Sequence, residues 1–198
     1  MANDNYARGL VPVNQGHRSA NIYRVSTAAD IYVGQPVAMP AAGFVIGAGV
    51  ATASSVVLGV AVGFLGTNKS GLATSDPYLD VSDLTPPTPA SDTGDRFVMV
   101  LDDPNQEYYI QEDTGGTALA LADLGASIHM LYRGADGSAV TGNADTGRVT
   151  AELDASTVAA TTAGMFTLLR LFDGVHSAGT NNVAGDSAKW VVRSTHPQ

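Results

Sequence analysis

The sequence predicts a mainly β protein: a sandwich or barrel-like domain of short antiparallel strands, with one short helix and an extended N-terminal arm. Three observations carry that reading. Short runs of β-branched and aromatic residues recur along the 198 residues, separated by Gly, Pro, Asn and Asp turn signals. No heptad pattern or internal repeat interrupts them. The run Phe97–Leu101 is apolar on both alternating faces, as a central strand buried on both sides should be.

Taken in order, residues 1–20 read as the arm. They are polar, carry Gly9, Pro12 and Gly16, and show no sustained period. Chain ends of this kind order only when something ties them down. Residues 21–198 read as one β domain with a long Pro-rich loop at about 67–95. Its first short strand is Ile22–Val25, followed by the extended piece Asp30–Val37 with a Gly34-Gln35-Pro36 turn. Phe44–Ile46 and Val56–Phe64 are further strands, the first bracketed by Gly43 and Gly47. The stretch from Ile31 to Asn68 lacks any charged residue, which raises the question of a membrane span. Repeated glycines, the Ser54-Ser55 pair and the valine content assign it to buried strands instead.

The loop holds Asp76-Pro77 and Thr85-Pro86-Pro87-Thr88-Pro89, where consecutive prolines remove ladder donors and favour extended backbone. A loop this long in a compact domain usually contacts something. After Phe97–Leu101 comes the turn Asp102-Asp103-Pro104-Asn105. Asp103 can accept from nearby amides and Pro104 presets φ, so a β-hairpin with Tyr108–Gln111 is expected. Ala118–Leu124 has helix-forming composition, with Gly125 placed for a left-handed cap. Ile128–Tyr132, Phe166–Phe172 and Lys189–Ser194 complete the strands, and Trp190 and Val192 share one face of the last.

Composition narrows the function. There is no cysteine, which excludes disulfides, thiolate metal sites and cysteine nucleophiles. Nineteen acidic residues against 10 basic give a net charge of -9, so neither nucleic acid nor an anionic membrane surface is an expected partner. Charged residues make up 15% of the chain, below the roughly 25% of ordinary soluble proteins. Surfaces with so little charge often face other protein. Residues Met1–Leu10 lack the apolar core of a secretory signal.

Motifs for chemistry are missing. The four histidines, His17, His129, His176 and His196, have no metal-binding spacing. Asp102 and Asp103 are adjacent and point opposite ways on a strand end, which suits a turn rather than a catalytic carboxylate pair. Asn143–Gly147 faintly matches a calcium loop, but Arg148 stands where glycine is required and Asp154 where a bidentate glutamate is required. No nucleophile elbow, phosphate loop or dinucleotide fingerprint is present. The expectation is a protein that is not an enzyme and that uses no cofactor and no metal. Arg8 and Arg18 in the arm can pair with a carboxylate-bearing partner. With Leu10, Pro12, Pro86 and Pro87 they are the candidate contact residues.

Several segments, in one order along the chain, are similar to the capsid decoration, or cement, proteins of tailed bacteriophages. Tyr23-Arg24-Val25 leads into Ile31–Val37, similar to that family's tyrosine strand and Gly-Asp-Pro-Val element, with Gln35 in place of Asp. Leu58–Phe64 resembles its glycine-valine strand. Arg96–Pro104 with Tyr109–Asp113 resembles its Asp-Asp-Pro turn and aromatic-Ile-Gln strand. Leu168–Leu171, Ala188–Arg193 and His196 resemble its closing strands. The Pro-rich loop and the residues after Trp190 depart from the pattern. The resemblance implies a structural virion protein made in the bacterial host cytoplasm and placed on the outer capsid surface. It implies a homotrimer that binds the major capsid protein of the same phage. The alternatives are another virion part, such as a tail or head–tail protein, or a surface glycan-binding β domain.

Overall fold

The computed structural model describes residues 8–13, 20–25, 31–39, 46–47, 57–65, 97–115, 117–132, 142–143, 148–159, 164–174 and 182–195. Within them the chain is mainly β. In chain order the strands are β1 (Val11–Pro12), β2 (Asn21–Arg24), β3 (Pro36–Ala38), β4 (Ile46–Gly47), β5 (Gly59–Leu65), β6 (Phe97–Leu101) and β7 (Tyr108–Gln111). They continue as β8 (Ser127–Tyr132), β9 (Gly142–Asn143), β10 (Arg148–Val149), β11 (Ala151–Ala159), β12 (Phe166–Leu171) and β13 (Lys189–Ser194).

Two antiparallel sheets carry the fold. One has five strands in the order β2-β6-β5-β3-β4; the other has six, β1-β7-β13-β12-β8-β11. A small ladder, β9 with β10, stands apart from both. The six-stranded sheet curls like a half-barrel around Trp190, Phe166, Ile128, Met130, Leu153 and Leu168, all fully buried. The curl closes where Glu112, at the end of β7, bridges Leu153 of β11 in parallel, and Asp113 N–H donates to Leu153 O at 2.9 Å.

The central strands of the five-stranded sheet, β5 and β6, carry buried residues on both faces. Val57 and Val60 join the core of the curled sheet, whereas Ala61, Phe64, Val98 and Val100 form a second cluster with Val25, Ile31 and Val37. This is why Phe97–Leu101 is apolar throughout: Val98 and Val100 enter the second cluster, and Phe97 and Leu101 on the other face of β6 are buried as well. At roughly 25 cal/mol per Å², burying such side chains on both faces makes β6 a main anchor of this sheet.

The expected hairpin is corrected. The turn after Leu101 forms, but β6 pairs with β2 and β5, whereas β7 pairs with β1 and β13. The turn therefore crosses from one sheet to the other. Tyr108 fixes the crossing by donating its buried hydroxyl to Leu101 O at 2.9 Å. The expected helix is a single 3-10 turn, Leu121–Asp123. The Asp123 carboxylate accepts from Ala120 N–H at 2.8 Å, and Gly125 takes the expected left-handed backbone at φ 88°.

The longest strand, β11, was not expected from the sequence. Ala151, Leu153 and Ala155 line the core with period two, but small alanines and flanking Glu152 and Asp154 give a weak apolar signal. A register shift follows Asp154. There Thr157 Oγ1 donates to Asp154 O at 2.7 Å and accepts from His129 N–H at 3.0 Å, so the irregular backbone stays satisfied.

The sheets are joined at a small hub. Leu10 N–H donates to Gly34 O, Gly34 N–H to Ala61 O, and Val149 N–H to Val33 O, at 2.8–3.0 Å. Gly9 (φ 66°) and Gly34 (φ 87°) adopt left-handed backbone there. A Cβ on Gly9 would stand 2.0 Å from Val149 Cγ1, so the hub admits no side chain at this position.

Candidate functional site

The candidate contact residues separate in the structure. Arg8 is exposed at the start of the described chain. Leu10 is 1% exposed and belongs to the core of the curled sheet. It cannot touch a partner, which corrects its place among the contact residues. Pro12 is half-buried on β1, in register with Tyr108, and Val13 N–H donates to Glu107 O at 3.1 Å. This part of the expected arm is a strand of the domain itself. Without a donor of its own, Pro12 suits the sheet margin it occupies. Arg18, Pro86 and Pro87 lie outside the described residues, as does the whole loop at 67–95.

Asp102, Asp103, Pro104 and Asn105 form the turn between the sheets. Asp103 Oδ1 accepts from Asn105 N–H at 2.7 Å, and Asp103 O accepts from Gln106 N–H at 2.9 Å. Asp102 faces back to β2, where its carboxylate accepts from Asn21 Nδ2 at 2.9 and 3.1 Å and from the Tyr23 hydroxyl. Burial, reinforced by the Asp102 carboxylate, pushes the Tyr23 phenol up to about 12. These residues tie β2 to the turn, so their role is structural.

Next to β1 the outer face of the curled sheet carries a surface that sequence reasoning did not single out. Val11, Tyr109, Val191 and Arg170 lie in register across β1, β7, β13 and β12 and so share one face, on which Val191 is buried, Val11 and Tyr109 are half-buried and Arg170 is exposed. Tyr109 stacks on Phe172 with ring centroids 4.4 Å apart. Arg170 pairs with Glu107 at 2.7 Å, both partly exposed, a pair worth little to stability in water. The available signal was the alternation Tyr108, Tyr109, Ile110, which turns Tyr109 away from the core. Exposed Leu121, at 60%, and Leu124 stand at the 3-10 turn.

A second unforeseen feature is a run of buried polar side chains where the curl closes. Gln111, Glu112, Asp113 and Glu152 are all buried. Gln111 Nε2 donates to Glu152 Oε1 at 2.9 Å, and Asp113 Oδ1 accepts from Ala155 N–H at 3.1 Å. Glu112 Oε2 accepts from Trp190 Nε1 at 2.8 Å and from Leu119 N–H at 3.2 Å, while Oε1 has no partner. Burial pushes the Glu112 carboxyl up to about 7, against the two donors, and Asp186 and Asp113 push it further the same way.

Comparison with family models, curated proteins and solved structures finds no match. Among the described residues no three His, Asp or Glu side chains are placed to hold a metal ion. No helix among them is long and apolar enough to cross a membrane. Asn143 and Arg148 of the calcium-like segment pair across β9 and β10, and residues 144–147 lie outside the description.

Proposed function

We propose that this chain is a structural virion protein that binds the outside of a tailed-bacteriophage capsid and bridges neighbouring major capsid protein subunits. One observation carries the reading: the ordered segments that resemble decoration proteins coincide with paired strands. Tyr23-Arg24 lies on β2, Pro36-Val37 on β3, and Gly59–Phe64 on β5. Phe97–Leu101 is β6, Tyr109–Gln111 lies on β7, Leu168–Leu171 on β12 and Lys189–Arg193 on β13. The resemblance thus falls on the framework of the fold rather than on scattered surface residues.

The physical role is that of a clamp. Packed DNA presses outward on a shell, and junctions between capsomers yield first. A trimer seated over such a junction adds interface that must break before the shell opens, and its three-fold repetition adds avidity. Contact is assigned to the residues ahead of Leu10, including Arg8, and to the loop at 67–95. An extended segment reaches about 3.3–3.6 Å per residue. Leu10 takes no part, being buried in the core.

Co-sedimentation with expanded shells lacking the protein tests this. Saturable binding at a fixed ratio to the major capsid protein is the expected result. Failure of well-folded protein to bind overturns the reading. Ring stoichiometry in purified particles separates a three-fold decoration protein from a tail or head–tail component. The Tyr109–Phe172 stack beside Arg170–Glu107 favours one second reading, a glycan-binding face, which a glycan-binding screen addresses directly.

A further inference from the structure

A short contact between the end of β7 and β11 closes the curl of the six-stranded sheet, and among the described residues it is rich in acids. Glu112 bridges Leu153, Asp113 holds Leu153 O and Ala155 N–H, and Gln111 holds Glu152. Glu112 is 0% exposed, yet one of its oxygens has no partner. Among the described residues the charges bearing on it are Asp186 and Asp113, both negative, and the groups favouring its charged form are two neutral donors. Glu152 is engaged by Gln111, and Lys189 stands in register with Gln111, one residue out of phase with Trp190 and so on the other side of β13. Asp186 is presented by a strained turn, in which buried Ser187 holds φ 60° and Glu112 N–H donates to Ala188 O at 2.8 Å.

We propose that Glu112 is a proton-operated latch on this seam: the neutral carboxyl keeps β7 and β11 joined, and its ionisation loosens the contact of Gln111–Asp113 with Glu152–Ala155. The cause is desolvation. A carboxylate buried without a cation, with one oxygen unpaired, is strongly disfavoured relative to its neutral form. Opening the seam admits water to it and removes that penalty. The latch concerns the isolated chain and stands whether or not the capsid reading holds.

Amide hydrogen exchange of the full chain, corrected for intrinsic rates with an unstructured reference, tests it from about pH 5 to pH 8. The seam amides of Asp113 and Ala155 should be less protected than those of Val98 and Val100 on β6. Their opening should rise by up to about tenfold per pH unit below about pH 7 and level off above it. In E112Q that rise should vanish. Seam protection independent of pH, or equal to that of β6 at every pH, overturns the proposal, as does an E112Q variant with the wild-type slope. The chain has a single tryptophan, and its indole N–H donates to Glu112. Tryptophan emission in the unmodified protein therefore reports the titration even if E112Q fails to fold; no transition between about pH 5 and pH 8 also overturns it.

Discussion

At Glu112 the folded chain holds a proton more tightly than the unfolded chain does, about 7 against an ordinary 4.5. Between those values the folded state binds more protons, so stability is highest below the window and is lost as pH rises through it. Thermal unfolding should show a Tm that falls from about pH 5 to pH 7, at up to about 1.4 kcal/mol of stability per pH unit. Glu112→Gln carries no charge to desolvate. It should flatten that dependence and match or exceed the unmodified protein at pH 8, by up to about 3 kcal/mol. At the hub, Gly34→Ala would place a Cβ 3.0 Å from Arg8 O in left-handed backbone. It should cost about 1–2 kcal/mol or more in denaturant unfolding, with Gly63→Ala as the control. Gly63 is free of such constraint, its nearest neighbour being Met99 Sδ at 3.5 Å.

Among elements, β1 decides how the N-terminal segment is dissected. Removing residues 2–16 would take away Leu10 and β1 together, and loss of a buried Leu side chain alone costs about 2–5 kcal/mol. That deletion should give a destabilised protein by circular dichroism melting. Removal of residues 2–7 should leave the melting curve in place and weaken shell binding; unchanged binding would show that the segment makes no capsid contact. Strands with strong β-branched or aromatic runs were legible in the sequence: β5, β6, β7, β8, β12 and β13 lie within two or three residues of expectation. The turn at Asp102–Asn105 was legible too, because Asp-Pro-Asn chemistry is local. Its use was not, since the same turn serves a hairpin or a crossing between sheets, and only the pairing of β6 with β2 and β5 decides. The alanine-rich β11 and the two-residue β1 escaped for lack of local apolar signal. The acid seam escaped because Gln111–Asp113 and Glu152–Ala155 lie some 40 residues apart, as the Gln111–Glu152 bond shows with its separation of 41.

For the whole molecule, two buried clusters among the described residues hold the sheets, and charged residues make up only 15% of the chain. If the shell-binding reading holds, particles carrying the protein should survive heating or chelation that opens bare shells, and nuclease access to packaged DNA would measure the difference. The position of β13 has a separate consequence, for biogenesis. It is the last of the described strands, yet it sits inside the curled sheet, between β7 and β12. Until it emerges, both neighbours keep an open hydrogen-bonding edge and Trp190 is missing from the centre of the core. Nascent chains therefore wait on Lys189–Ser194 before the sheet can assemble. Such late, non-local pairing folds on the millisecond-to-second scale rather than faster, and a chain cut short ahead of Lys189 would be an adhesive, strand-pairing fragment instead of a shortened working protein.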